Sequence, residues 1–199
     1  MALLITNTLA SEQLANSLGA TGNALTVVAT AGAINLAAAA ANTQNGNVFR
    51  ISVAGITPPI QFGSESIYPP VVLSVLVGAN GNIADQVVGT VTLPSVGTTG
   101  AWSADAILTC RKNATFSGGT NANTQWVCVI NNITNPIPYT QQSEVVLSGP
   151  SSNGAVNVSL QTAAGAYTSN LANISVAVGL NTSQNGNTFV ESCIINQAF

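Results

Sequence analysis

The sequence predicts an all-β fold, an antiparallel β-sandwich of the jelly-roll kind with about ten strands. Three observations carry this expectation. Short runs rich in Val, Ile and Thr recur along the chain, and Gly, Asn, Ser and Pro separate them at roughly regular spacing; only one stretch has helix start and stop signals. At 199 residues the chain fits one domain able to bury a sizeable core. The expected division is an extended N-terminal arm over 1–41, a short helix plus a strand, followed by a β-sandwich over 42–199.

The helix is expected over 11–19, with Ser11 as N-cap, Glu12 in the first turn and Gly19 as the stop. Strands are expected over 25–30, 48–54, 71–77, 86–93, 101–111, 125–133, 144–148, 155–161, 174–180 and 188–195. The second of these starts after Gln44-Asn45-Gly46-Asn47, and the last after the similar Gln184-Asn185-Gly186-Asn187. In both places Asn-Gly reads as a turn and the following Phe as the start of a core strand.

One hairpin is well marked. Residues 71–77 lead into Asn80-Gly81-Asn82 and return through 83–93, and Asn-Gly suits the positive φ angles of a type I′ turn. A second hairpin follows from alternation: Trp102, Ala104, Ala106, Leu108 and Cys110 share one face of a strand, and Trp126, Cys128 and Ile130 share one face of the next. If these strands pair, Cys110 and Cys128 lie close on the apolar face, either bridged or as two reduced core thiols. Cys193 is expected to be buried as well.

Pro58-Pro59, Pro69-Pro70 and the Pro136 to Pro138 cluster mark segments that are not central strands. The region 56–70, with Phe62 and Tyr68, is the candidate contact loop.

Charge is the outstanding feature of the composition. Six acids and three basic residues leave 5 % of the chain charged, against roughly 25 % in an average soluble protein. Asn supplies 23 residues, and Ser with Thr another 39, so the exterior must be clothed in neutral polar groups. Such a surface repels itself weakly and tends to associate. Positive mean hydropathy with so little charge also excludes a disordered chain.

Other function classes fall to missing residues. Three basic side chains do not neutralise a phosphate backbone, which excludes nucleic acid as a direct partner. The uncharged stretch 24–41 is mostly Ala, Thr and Gly, too poor in Leu, Ile and Phe to span a membrane. Histidine is absent, which removes the usual general base and most catalytic metal sites, and the six acids are scattered singly. Neither an enzyme nor a cofactor is expected. Five Asn-x-Ser/Thr sequons match the frequency that this composition gives by chance.

The expectation is therefore a non-enzymatic structural protein whose partners are copies of itself and a further structural protein. A virion surface, capsid-decoration or other head or tail subunit fits best. Its arm would dock on an adjacent subunit through Leu3, Leu4, Ile5, Leu9, Leu14, Leu18, Leu25 and Val27, with backbone pairing that needs no charge. An extracellular filament joined by donation of the N-terminal strand is the alternative. A carbohydrate-binding sandwich using Trp102, Trp126, Tyr68, Tyr139 or Tyr167 is another, although both tryptophans alternate in register with apolar neighbours. No Lys or Arg precedes Arg50, so no signal-peptide n-region is visible. The exterior would then be reached by a route other than general secretion, or after a leader was trimmed.

Overall fold

The computed structural model describes residues 6–12, 17–21, 25–35, 48–78, 80–93, 100–112, 123–132, 156–159, 171–182 and 185–198. These residues form an all-β protein in which every strand pairing is antiparallel. The strands are β1 (Thr6–Glu12), β2 (Ser17–Thr21), β3 (Thr26–Asn35), β4 (Val48–Ile56), β5 (Ile60–Phe62), β6 (Glu65–Ile67), β7 (Val71–Gly78), β8 (Gln86–Leu93), β9 (Ala101–Lys112), β10 (Asn123–Asn132), β11 (Val156–Ser159), β12 (Leu171–Leu180) and β13 (Asn185–Ala198).

A larger, seven-stranded sheet runs β1-β13-β4-β9-β10-β11, with β2 also on β13. A smaller, four-stranded sheet runs β3-β12-β7-β8, and β5 and β6 form a separate hairpin. The pairings are nested like one long hairpin: β1 with β13, β3 with β12, β4 with β9 and β7 with β8. The β10–β11 unit extends the larger sheet beyond β9.

Side-chain alternation turns one face of each sheet inward, so both contribute to a single core. Phe49, Ile51, Leu108, Trp126, Ile130 and Ile195 come from the larger sheet, and Leu73, Val75, Ile174 and Val178 from the smaller. Phe49 and Trp126 meet with ring centroids 6.0 Å apart at 41°. Where β8 passes over β10, Gly89 leaves room for Cys128: a β-carbon there would lie 2.6 Å from its Sγ.

The expected helix over 11–19 is not formed in its described residues. Ser11 and Glu12 pair with Ile194 and Cys193, and Ser17, Leu18 and Gly19 pair with Phe189, Thr188 and Asn187. β1 and β2 are thus two pieces of one edge strand along β13. A single helical turn's worth of capping signals is outweighed by the backbone pairing that the long edge of β13 offers.

Two turn assignments also differ. Asn185-Gly186 is extended within β13, where Gly186 pairs with Ala20 and its missing β-carbon makes room for Leu180 and Ile60. The β7–β8 loop is longer than a two-residue turn, because Val77 pairs with Gln86. Gly81 does take a positive φ of 68°. The buried carboxylate of Asp85 organises the loop, accepting hydrogen bonds from the backbone N–H groups of Asn80 (3.0 Å), Gly81 (2.6 Å) and Asn82 (3.3 Å) and from Asn80 Nδ2 (3.0 Å). The strand expected over 144–148 and the Pro136 to Pro138 cluster lie outside the described residues.

Candidate interaction surface

The core claims the three cysteines. All are buried thiols with no disulfide. Cys110 is opposite Trp126 and Cys128 opposite Leu108, so the two cysteines are diagonal neighbours on the inward face rather than a facing pair. Burial pushes the Cys128 thiol from its ordinary 9.0 up to about 12, because the thiolate would lose its hydration. Among the described residues no group of three His, Cys, Asp or Glu side chains comes together to hold a metal ion. Both tryptophans are buried too, Trp102 at 4 % and Trp126 at 0 % exposure, which takes them out of reach of a sugar. Tyr139 and Tyr167 lie outside the described residues.

Trp102 has a second task. Its Nε1–H donates to Thr188 Oγ1 at 3.2 Å, and Thr188 and Thr57 hydroxyls lie 2.9 Å apart. Thr188 can donate in turn to the Ile56 carbonyl at 3.5 Å, so its one proton and two lone pairs are all used. This buried polar knot ties β4, β9 and β13 together, and Thr57 N–H adds a bond to the Gly100 carbonyl at 2.8 Å. Sequence reading passed over Thr57 and Thr188, since nothing local distinguishes them from the other nineteen threonines among the 21 in the chain.

The candidate contact loop, 56–70, contains the β5–β6 hairpin, with Gly63 at its turn in a positive φ of 63°. Phe62 is the last residue of β5. Tyr68 is half-buried at the hairpin's exit, with its ring against Gly100: a β-carbon there would lie 2.9 Å from Cδ1. The chain then re-enters the smaller sheet, held by a 2.8 Å bond from Asn181 N–H to the Pro70 carbonyl. The hairpin's outer part is exposed from Gly63 to Ile67, with Ile67 at 42 %, and Gln61 Nε2 donates to Ser66 Oγ at 2.6 Å.

Of the residues assigned to an arm, Leu9 lies in β1 and Leu18 in β2, both along β13 of the same chain. Leu25 and Val27 are half-buried at the start of the smaller sheet's edge, where Val27 pairs with Ala177. Leu3, Leu4, Ile5 and Leu14 lie outside the described residues.

The outward face of the larger sheet was not singled out by sequence. It carries Arg50 and Ser52 on β4, and Asp105 and Ile107 on β9, with Ile107 40 % exposed. Register makes them neighbours, Arg50 opposite Ile107 and Ser52 opposite Asp105. Strand alternation could have placed each side chain outward. Only the pairing of β4 with β9, two elements far apart in the chain, brings them together.

No protein-family model matches this chain, and no curated protein matches it.

Proposed function

We propose that this chain is a non-enzymatic structural subunit that assembles with copies of itself, as a virion surface, capsid-decoration or other head or tail subunit. The observation that carries the reading is the shortage of charge on a folded two-sheet domain: nine ionisable acids and bases in 199 residues. A neutral exterior of this kind is better matched to sister surfaces than to water. The nested pairing of β1 with β13, β3 with β12, β4 with β9 and β7 with β8 supports a jelly-roll sandwich, a scaffold used in capsid and lectin domains. Fold analogy alone does not give function, so the charge argument leads.

An extracellular filament is the second reading, favoured by the position of β1 and β2 at the edge of the larger sheet. The same hydrogen bonds along β13 serve whether the edge strand comes from its own chain or from a neighbour.

Light scattering on the purified protein followed by electron microscopy tests both. Discrete oligomers or shells are the expected result, and fibres would favour strand donation. A protein that stays monomeric as its concentration is raised would overturn the self-assembly reading.

A further inference from the structure

We propose that the outward face of the larger sheet is the seat of a second copy of this chain, related to the first by a two-fold axis running along the line from Ser52 to Ile107. The proposal rests on the self-assembly reading and names the surface and the symmetry that it would use.

Four side chains define the site. Arg50 faces Ile107 across β4 and β9, and Ser52 faces Asp105 one outward position further along. They are the corners of one quadrilateral, with Arg50 and Asp105 at the ends of one diagonal and Ser52 and Ile107 at the ends of the other. Strands about 4.8 Å apart and outward positions about 6.8 Å apart along a strand give diagonals of about 8 Å.

Neither charged group has an ion-pair partner among the described residues. Yet this face carries Arg50 exposed and Asp105 half-buried in a chain with almost no charge to spare. A two-fold rotation about the Ser52–Ile107 diagonal brings each remaining corner to within about 3 Å, in projection, of the other corner, a gap the long Arg50 side chain spans. Each Arg50 then meets Asp105 of the second copy, and the pair forms twice. Ile107, 40 % exposed, meets its own counterpart on the axis.

The surroundings agree with a protein partner. Val129 on β10 is opposite Ile107, and Ile194 on β13 is opposite Ser52; both are half-buried, so β9, β10 and β13 each bring an apolar side chain beside the charges. The quartet sums to zero charge, which gives an anionic or cationic ligand no net attraction. A copy of the same surface cancels both charges at once.

The test measures self-association by analytical ultracentrifugation for the unaltered chain, Ile107→Arg, Arg50→Asp, Asp105→Arg and the double exchange Arg50→Asp with Asp105→Arg. All three substituted positions face outward, so thermal melting should confirm folding for each of the four variants. Each single charge reversal is expected to weaken association about tenfold or more, since like charges then meet twice. The double exchange is expected to return within about threefold of the unaltered chain, because the exchanged pair is again complementary. Ile107→Arg should remove the contact, placing two like charges on the axis.

If the unaltered chain associates and none of the variants changes it, another surface is the interface and only this proposal falls. Weakening by the single reversals without recovery in the double exchange would also overturn it, since the axis would be wrong. A chain that never associates removes the self-assembly reading together with the proposal.

Discussion

The two sheets bury their strands differently. In β4 of the larger sheet burial alternates, Phe49, Ile51 and Val53 inward against exposed Arg50 and Ser52. In β7 and β12 of the smaller sheet it does not: residues 73–78 and 174–180 are buried throughout, including Leu76 at 1 % and Ala177 at 0 %. The composition follows the number of covered faces. β4 intersperses polar side chains, whereas β7 reads as a nearly continuous apolar run.

The two buried serines on the second face of the smaller sheet each pair with a threonine hydroxyl on a neighbouring strand. Ser74 and Thr90 lie 3.0 Å apart, and Thr30 and Ser175 lie 3.1 Å apart. A hydroxyl pair spends no charge, and each partner supplies what the other needs. Ser74 and Ser175 are thereby buried with their hydroxyls partnered.

The most drastic way to break the contrast is to delete residues 2–41, which removes β1, β2 and β3. Both sheets then lose an edge, and the doubly buried β12 loses its pairing with β3. The expected result is loss of the cooperative unfolding transition followed by circular dichroism. A fully folded deletion protein would show that these strands are an appendage.

Next in size is a matched pair of substitutions. Leu76→Ala, on the second face of the smaller sheet, should cost about 2–5 kcal/mol in urea unfolding, as for other buried Leu-to-Ala changes. Ser52→Ala, on the outward face of the larger sheet, should stay within about 0.5 kcal/mol. Equal effects would erase the difference between the sheets.

Thr188→Val sharpens the comparison from the other side, since the larger sheet's inward face holds a polar knot among apolar neighbours. The change keeps the shape but leaves Trp102 Nε1–H and the Thr57 hydroxyl without their shared partner. A loss of about 1–3 kcal/mol is expected, the desolvation cost of unpaired buried groups. A Thr57→Val, Thr188→Val double variant should cost less than the sum of the two single changes, because one network is lost only once.

The last effect is absent at neutral pH and is seen only in alkali. With its folded-state value raised, the Cys128 thiol keeps its proton above pH 9.0 while the unfolded chain releases it. Its contribution to stability is therefore whole below that pH and is lost as pH climbs toward about 12. The expected slope is about 1.4 kcal/mol per pH unit. Cys128→Ala should unfold with a shallower slope over the same range, and identical slopes would contradict the burial argument.

The hydrophobic pattern made much of the fold legible. The spans expected at 48–54, 71–77, 86–93, 101–111 and 174–180 lie on strands, as do the described residues 125–132 of the span expected at 125–133, because β-branched runs bounded by Gly, Asn and Pro have few other uses. β5 and β6 escaped notice because three residues are too short for a period to show. β1 and β2 escaped because Ser11, Glu12 and Gly19 carry helix signals that act locally, while the pairing that overrides them comes from residues 185–198. Asp85 looked like one scattered acid, and its role depends on the loop closing back over its carboxylate.

The candidate surface was less legible than the fold, for the same reason. Alternation tells which side of a strand Arg50 or Asp105 takes, but not which strand lies beside it.

The amino-acid sequence alone determined where strands form and how little charge the exterior carries, because both follow from side-chain type and local spacing. Which strands become neighbours, which faces are covered twice and which outward side chains meet were decided only by tertiary structure. Backbone ladders accept almost any side chain, so their partners are chosen by the packing of two whole sheets around one core rather than by any short segment.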